Sequence, residues 1–474
     1  MGSRLVVAAL GWAGTLLIVR NLAVHAWGEF SFVFSFIAIV SILTDLATSP
    51  MVIKGVLADN DPGRFAGIYV LLRAALGLLA YAVAMAFVVL AGYPAEVVRT
   101  MAVGGSLLVA ASVSNGYDGI FQAVVRMGPV ALANIVGQAA QFALIGVLAY
   151  IGSSVVVFAI PAVAAQVVIL AWKLRAARPI LRVRPAFSWL TSVGMLRAAL
   201  PLAIGGALIT VYYNLDSVML SKLATFTAVG IYGVAYKFAG VVSFLPLAIQ
   251  APLLGLLVRS WPHDPAAFWG ACRKAFVVMS ITAVLILVEF GLFAPQAIHL
   301  LYGANFVVGA NAARIVVASE CLGFFGALAI AILIAIGRNR VYVIAGLAGL
   351  VINFSLNLVV IPRYSYQGAA WATMGTEIAV TAVLWGPILR LRDRAHFPVS
   401  TAIKAGVCGA LAAGAAMLAD LVTPWYVAVI GSSLLYVALL HFWRVPGDAG
   451  LRSLLRDEEV LPGLPESAAP AGGG

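Results

Sequence analysis

Residues 200–237 read LPLAIGGALITVYYNLDSVMLSKLATFTAVGIYGVAYK, and they decide the fold class. Asp216, Lys222 and Lys237 carry the only charges in this stretch. Its apolar residues lie on every helical face. A soluble helix keeps its apolar residues on one stripe, whereas a helix that is apolar all round is buried in protein or lipid. The runs on either side of Lys222 each reach the length of about 20 residues that a bilayer requires. A transmembrane barrel would instead alternate polar and apolar residues over about ten positions. The stretch therefore reads as two membrane-spanning helices joined by a short turn.

The same pattern extends along the chain. About fourteen apolar runs occur, at roughly 4–23, 30–53, 66–91, 98–124, 129–151, 154–176, 194–220, 227–258, 275–295, 313–337, 341–361, 367–389, 400–420 and 423–443. Composition agrees. Hydrophobic residues make up 63% of the 474 residues and charged residues 10%, whereas a soluble chain is nearer half apolar and one quarter charged. A cytosolic enzyme, a secreted domain and a disordered protein are all excluded. The expected fold is an all-α polytopic membrane protein of about fourteen spans.

A net charge of +11 would point to nucleic acid in a soluble protein. In a membrane protein it points to basic cytoplasmic loops. With the N-terminus placed in the cytoplasm, 22 of the 29 basic residues fall on that side. Lys173 and its neighbours in 173–193 are counted among them. Arg20, Arg99, Lys222, Arg314 and Arg363 fall on the other side, and Arg73 and Lys237 lie inside spans. This predicts a multi-pass inner-membrane protein with both termini cytoplasmic and no nucleic-acid partner.

The basic stretch after span six reads as a linker between halves. The expected division is a six-helix lobe over 1–176, a linker over 177–193, a second six-helix lobe over 194–389, two further spans over 390–443 and a disordered tail over 444–474. The halves read as repeats. Residues 20–43 lie on 222–245 without a gap, which places Gly28 on Gly230 and Ser41 on Ser243. A second match lays Arg126 on Arg338, Gly137 on Gly349 and Gln141 on Asn353. Six helices per half give the repeats the same orientation, as in transporters whose lobes are related by an axis along the membrane normal.

The chain contains no Walker A sequence, no H-E-x-x-H and no G-x-S-x-G elbow. Cys272, Cys321 and Cys408 are isolated, and the five histidines are scattered, so neither a disulfide frame nor a metal site is expected. The loops are short, which argues against a membrane glycan polymerase or glycosyltransferase. No enzymatic activity is expected. The informative residues are charges inside spans, since each is costly there unless paired or wet. These are Asp45, Arg73, Asp118, Asp216, Lys237, Glu289, Glu320 and Glu377. Asp45, Asp216 and Lys237 lie on equivalent spans of the two halves. Asp216 and Lys237 face each other across one hairpin, as a pathway-lining pair or as a structural salt bridge. Glu377 is a mid-span acid suited to coupling or to pairing. Arg73, Asp118 and Glu320, together with Tyr232 and Tyr236, are weaker candidates. A cation in a wet cavity would attract a phosphate or carboxylate.

The segments LLIVRNLAVHAWGEFSFVFSFIAIVSILTDLATS, LPLAIGGALITVYYNLDSVMLSKLATFTAVGIYGVAYK, LYGANFVVGANAARIVVAS and VVIPRYSYQGAAWATMGTE resemble the polysaccharide transporter family. These are the Wzx-type flippases of the MOP superfamily, which also holds MATE drug antiporters and lipid II flippases. The resemblance covers about residues 10–390. It implies two lobes in a V around a central cavity lined by spans one, two, seven and eight. It also adds Arg20 to Asp45, Asp216 and Lys237 as pathway or coupling positions. The implied function is flipping of a polyprenyl-phosphate-type oligosaccharide to the outer leaflet by alternating access. No cofactor is implied beyond coupling to H+ or Na+. The implied partners are the lipid-linked glycan, membrane lipids, and a glycan polymerase and glycosyltransferases. A MATE-like antiporter is the alternative. Spans one and two lack the string of arginines expected of a lipid II flippase, which sets that reading behind.

Overall fold

The structure is a computed structural model, and it describes residues 2–45, 61–391 and 397–445. Among the described residues it is helical throughout, apart from turns and short connections. The first half contains α1 (Gly2–Asn21), α2 (Val24–Val40), α3 (Ile42–Asp45), α4 (Pro62–Leu90), α5 (Ala95–Gly105), α6 (Leu107–Ala123), α7 (Gly128–Ile151), α8 (Val155–Phe158) and α9 (Ile160–Ala177). There follow α10 (Trp189–Leu223), α11 (Phe226–Val242), α12 (Phe244–Ser260), α13 (Pro265–Tyr302), α14 (Ala310–Ala335), α15 (Asn339–Leu389), α16 (Val399–Asp420) and α17 (Trp425–Phe442).

Eleven helical stretches are long and apolar enough to cross a membrane. With α1, α10 and the division of α15 at Ser365, the count among described residues reaches the expected fourteen. Local chemistry sets the ends. Asp61 caps α4 by accepting from the Arg64 amide at 3.1 Å, with Pro62 at the first helical position. Ser188 likewise caps α10. Gly152 ends α7 at φ +69°, a conformation costly for any residue with a Cβ. The turn between the runs 341–361 and 367–389 is a sharp break at Ser365, φ +52°, which divides α15 into two helices.

The chain forms two compact units that interleave along the sequence. One comprises Met1–Phe238, Ala297–Val316 and Gly346–Thr376, and the other Ala239–Gln296, Val317–Ala345 and Glu377–Gly474. In the first, α7 packs on α1 and α9, α4 on α6, and α10 on α2. Small residues let helices approach: a Cβ on Gly137 of α7 would lie 2.3 Å from Ile169 of α9. In the second unit α16 packs on α17. There Tyr436 donates to the Ile281 carbonyl at 3.0 Å, while Glu289 accepts from Ser432 at 2.8 Å and Ser433 at 3.0 Å. The structure places Glu289 between α13 and α17, where two serines satisfy one of its oxygens.

One expectation changes. Lys173, counted with the cytoplasmic loops, is buried at 1% exposure and lies 2.6 Å from Asp118. The reason is that α9 continues to Ala177 and carries Lys173 onto the face that meets α6. The connection after α9 rests on α4. Its Arg184 amide donates to the Gly63 carbonyl at 3.0 Å, and Ile180, Leu181 and Val183 join an apolar cluster with Ala66, Tyr69 and Phe121. The tail expected to be disordered lies outside the described residues from position 446 onward.

Candidate functional site

The first unit holds a buried polar cluster and, close to it along the same helices, a cavity. The cluster centres on Asp216 of α10, which is 1% exposed. Tyr232 of α11 donates its hydroxyl to Oδ2. Thr373, on the second part of α15, donates to the same oxygen at 2.8 Å. Asn357, on the first part of α15, donates to Oδ1 at 2.6 Å and also to Oδ1 of Asn353 at 3.0 Å. All five side chains are buried. No Lys, Arg or His pairs with Asp216 among the described residues. A buried carboxylate held by neutral donors alone keeps its charge uncompensated, which is expensive in a low-dielectric interior. The Asn357 Oδ1 atom is buried without a hydrogen-bond partner among the described residues. The result is a knot of oxygens around one carboxyl group that has no counter-charge among the described residues.

The cavity has a volume of about 350 Å³. It is lined from α1 by Thr15, from α2 by Trp27, Ser31 and Ser35, and from α7 by Gln141. Asn214 and Ser217 of α10 and Tyr236 and Lys237 of α11 complete its polar surface. Lys237 is its one cation. The ammonium has no hydrogen bond or ion pair among the described residues, and its nearest recorded contact is the Trp27 ring, 5.9 Å from Nζ to centroid. The Trp27 indole N–H is buried with no partner among the described residues. Two donors without acceptors therefore meet in a space lined by hydroxyls, amides and aromatic rings.

The Asp216–Lys237 pair allowed by the sequence is not formed. Asp216 points to Tyr232 and α15, while Lys237 points into the cavity. Tyr232 belongs to the cluster and Tyr236 to the cavity wall. Arg20 lies at the end of α1 and donates from Nε to the Leu301 carbonyl at 2.8 Å. Asp45 ends α3, and its side chain lies outside the described portion.

Of the weaker candidates, Arg73 and Asp118 belong to another set of contacts. Arg73 donates to the Ser112 carbonyl at 2.7 Å, and Asp118 pairs with Lys173, which also donates to Ser114 at 3.0 Å. These contacts hold α4, α6 and α9 together. Glu377 lies in the second unit against Gly323 and Gly326, where added Cβ atoms would sit 3.3 and 3.4 Å from its Oε1. Glu320 of the same unit is within electrostatic reach of it.

Sequence reasoning missed Asn353, Asn357, Thr373 and Trp27. Asn353 and Asn357 stand one helical turn apart in an apolar span, which is itself a signal that the face they share is buried against polar groups. Thr373 and Trp27 carry no such signal.

The profile of one protein family, described as "Polysaccharide biosynthesis protein", matches residues 1–254. Among solved structures, a lipid II flippase MurJ in an inward-closed conformation is 13% identical, with a TM-score of 0.75 over 93% of this chain and 98% of that chain. An inward-facing multidrug resistance MATE transporter of the MOP superfamily is 15% identical, with a TM-score of 0.67 over 81% of this chain and 94% of that one. A MOP superfamily transporter from Pyrococcus furiosus, whose title describes a binding pocket of reverse polarity, is 16% identical, with a TM-score of 0.53 over 83% and 93%. No curated protein sequence matches the chain. At these identities the structural likeness is one of fold.

Proposed function

The chain belongs to the polysaccharide biosynthesis protein family and has the fold of MOP-superfamily transporters, and from that premise we propose that it flips a lipid-linked oligosaccharide across the inner membrane by alternating access. The observation that carries the reading is the unpaired Lys237 ammonium beside the unpaired Trp27 indole N–H in the cavity. Two donors without acceptors suit a phosphate oxygen, and the surrounding hydroxyls, amides and rings suit a sugar. A polyprenyl-phosphate glycan presents both, while its tail stays in lipid.

The Asp216 cluster supports ion coupling. An isolated carboxylate surrounded by Thr373, Asn353 and Asn357 oxygens offers hard oxygen ligands to Na+ or a base to H+. Tyr232 and Lys237 lie on one helix, so a change in charge at Asp216 reaches the cavity wall through α11.

Deletion of the gene followed by lipid extraction tests the function. Accumulation of a lipid-linked glycan on the cytoplasmic leaflet is the expected result. Normal glycan export with altered drug sensitivity would overturn it in favour of a MATE-like antiporter. For the site, Lys237→Ala and Asp216→Asn lower export at unchanged protein level, and Asp216→Asn also removes its dependence on the ion gradient. Normal export by both variants would sink the assignment of these residues.

A further inference from the structure

The repeat register lays Arg20 on Lys222, Val24 on Phe226, Gly28 on Gly230 and Ser31 on Gly233. In the structure these matched residues make matched contacts with one another's half. Arg20, at the end of α1, donates to the carbonyls of Leu301 and Leu300, where α13 ends. Lys222, at the end of α10, donates to the carbonyl of Ala91, at 2.6 Å, where α4 ends. Leu300 stands two residues before Tyr302, and Ala91 stands two residues before Tyr93. The cation closing the first span of each half therefore caps the third span of the other half. Cations at helix C-termini satisfy carbonyls that have no partner within their own helix and complement the helix dipole.

Between the two caps, α2 and α11 meet backbone to backbone. A Cβ on Gly28 would fall 1.7 Å from the Phe226 carbonyl oxygen, and one on Gly230 would fall 2.3 Å from the Val24 carbonyl oxygen. Each glycine meets the residue that its counterpart's contact predicts, which is the signature of a two-fold interface. A Cβ on Gly233 would lie 2.8 Å from the Oγ of Ser31, its own matched position. The pseudo-two-fold axis passes through this seam.

On each of the four helices these contacts lie on one side of the cavity. Along α1 and α10 the cavity residues lie back from Arg20 and Lys222, at Thr15 and Gly11 and at Ser217 and Asn214. Along α11 they lie forward of Gly230, from Gly233 to Lys237, and along α2 all but Trp27, which adjoins Gly28, lie forward of Gly28, from Phe30 to Ser35. The crossed caps and the seam therefore close one end of the cavity.

We propose that Arg20, Lys222 and the Gly28–Gly230 seam form the gate at that mouth of the transport cavity. The orientation read from basic loops makes it the extracytoplasmic mouth, and the proposal rests on the transporter reading above. The construction suits repeated opening. The caps are a few charge-assisted hydrogen bonds that water can replace. At the glycines the seam is backbone against backbone, and the side chains that cross it are rings in face and edge contact, Phe226 with His25, Phe32 and Tyr93.

A reversible lock tests it. A Cβ on Gly233 would lie 3.4 Å from the Ser31 Cβ, close to the spacing a disulfide needs, and the chain's own three cysteines are buried. In the Ser31→Cys/Gly233→Cys double variant, oxidation should form the cross-link and stop transport, and reductant should restore it. Full transport by the cross-linked protein, or failure to cross-link at normal protein level, overturns the gate. A second measurement needs no substrate. With Ser217→Cys as reporter, Arg20→Ala/Lys222→Ala should speed labelling by a membrane-impermeant maleimide from the outer face about ten-fold, and Arg20→Lys should not. Unchanged labelling, or faster labelling from the cytoplasmic face instead, also overturns the gate. Faster outer labelling in a protein that flips no glycan would overturn the substrate assignment and leave the gate standing.

Discussion

Lys173 sits 2.6 Å from Asp118 in the interior of the first unit, although its sequence neighbours Arg175 and Arg178 are loop-like. Burying two charges is favourable only while each holds the other, so losing one partner is strongly destabilising. Lys173→Met is expected to cost about 3–5 kcal/mol, the range for a broken buried pair, read as a lower midpoint of thermal unfolding in detergent. Adding Asp118→Leu to Lys173→Met should recover most of the loss, because apolar replacement removes the orphaned charge. Asp216 differs from Asp118 in this respect. Its carboxylate has hydrogen-bond donors but no counter-charge among the described residues, so Asp216→Asn should leave the unfolding midpoint unchanged or raised. A fall comparable to that of Lys173→Met would show Asp216 to be a structural residue.

At the level of elements, glycines decide which segments can touch. The connection between α9 and α10 lies on α4 because Gly63 and Gly67 present bare backbone. A Cβ on Gly67 would fall 1.7 Å from the Arg184 carbonyl oxygen, and one on Gly63 2.5 Å from that of Arg182. Neither acceptor is a flexible side chain, so the connection itself must shift. Gly67→Ala is expected to destabilise by about 1–3 kcal/mol, as overpacking does. It should also expose the segment 178–188 to protease, which limited proteolysis in membranes would measure. A cleavage pattern identical to that of the unsubstituted chain would mean the connection is not held there. The composition of this segment, rich in Arg and Pro, marked it as a connection, but nothing in it showed where it would rest. That depended on two glycines more than a hundred residues earlier in the chain.

For the whole molecule, the exposed surface is apolar where a soluble protein would be charged. Leu78, Val89, Val351, Val359, Leu434 and Val437 are all large, apolar and exposed. In water such a surface would aggregate, and in lipid it is the correct solvent-facing layer. The excess of basic residues in alternate loops then sets orientation. Reporter fusions placed after Trp443 and in the 178–188 connection are expected to be active only as cytoplasmic reporters. A periplasmic signal from either would invert the layout and move the proposed gate to the opposite face.

The amino-acid sequence by itself determined the solvent, the all-helical class and the approximate number of spans. Those properties follow from local hydropathy and from residues close together in the chain. Each apolar run must satisfy its own backbone in lipid and can do so only as a helix. The tertiary structure alone decided the partners of the intramembrane charges. Asp216 and Lys237 lie on neighbouring spans, yet one is satisfied by Tyr232, Thr373 and Asn357 and the other faces the cavity. Which side of a helix a charge occupies depends on how the helix is rotated against all its neighbours. That rotation is set by close contacts such as Gly28 with Phe226 and Gly137 with Ile169, between residues that are distant in sequence.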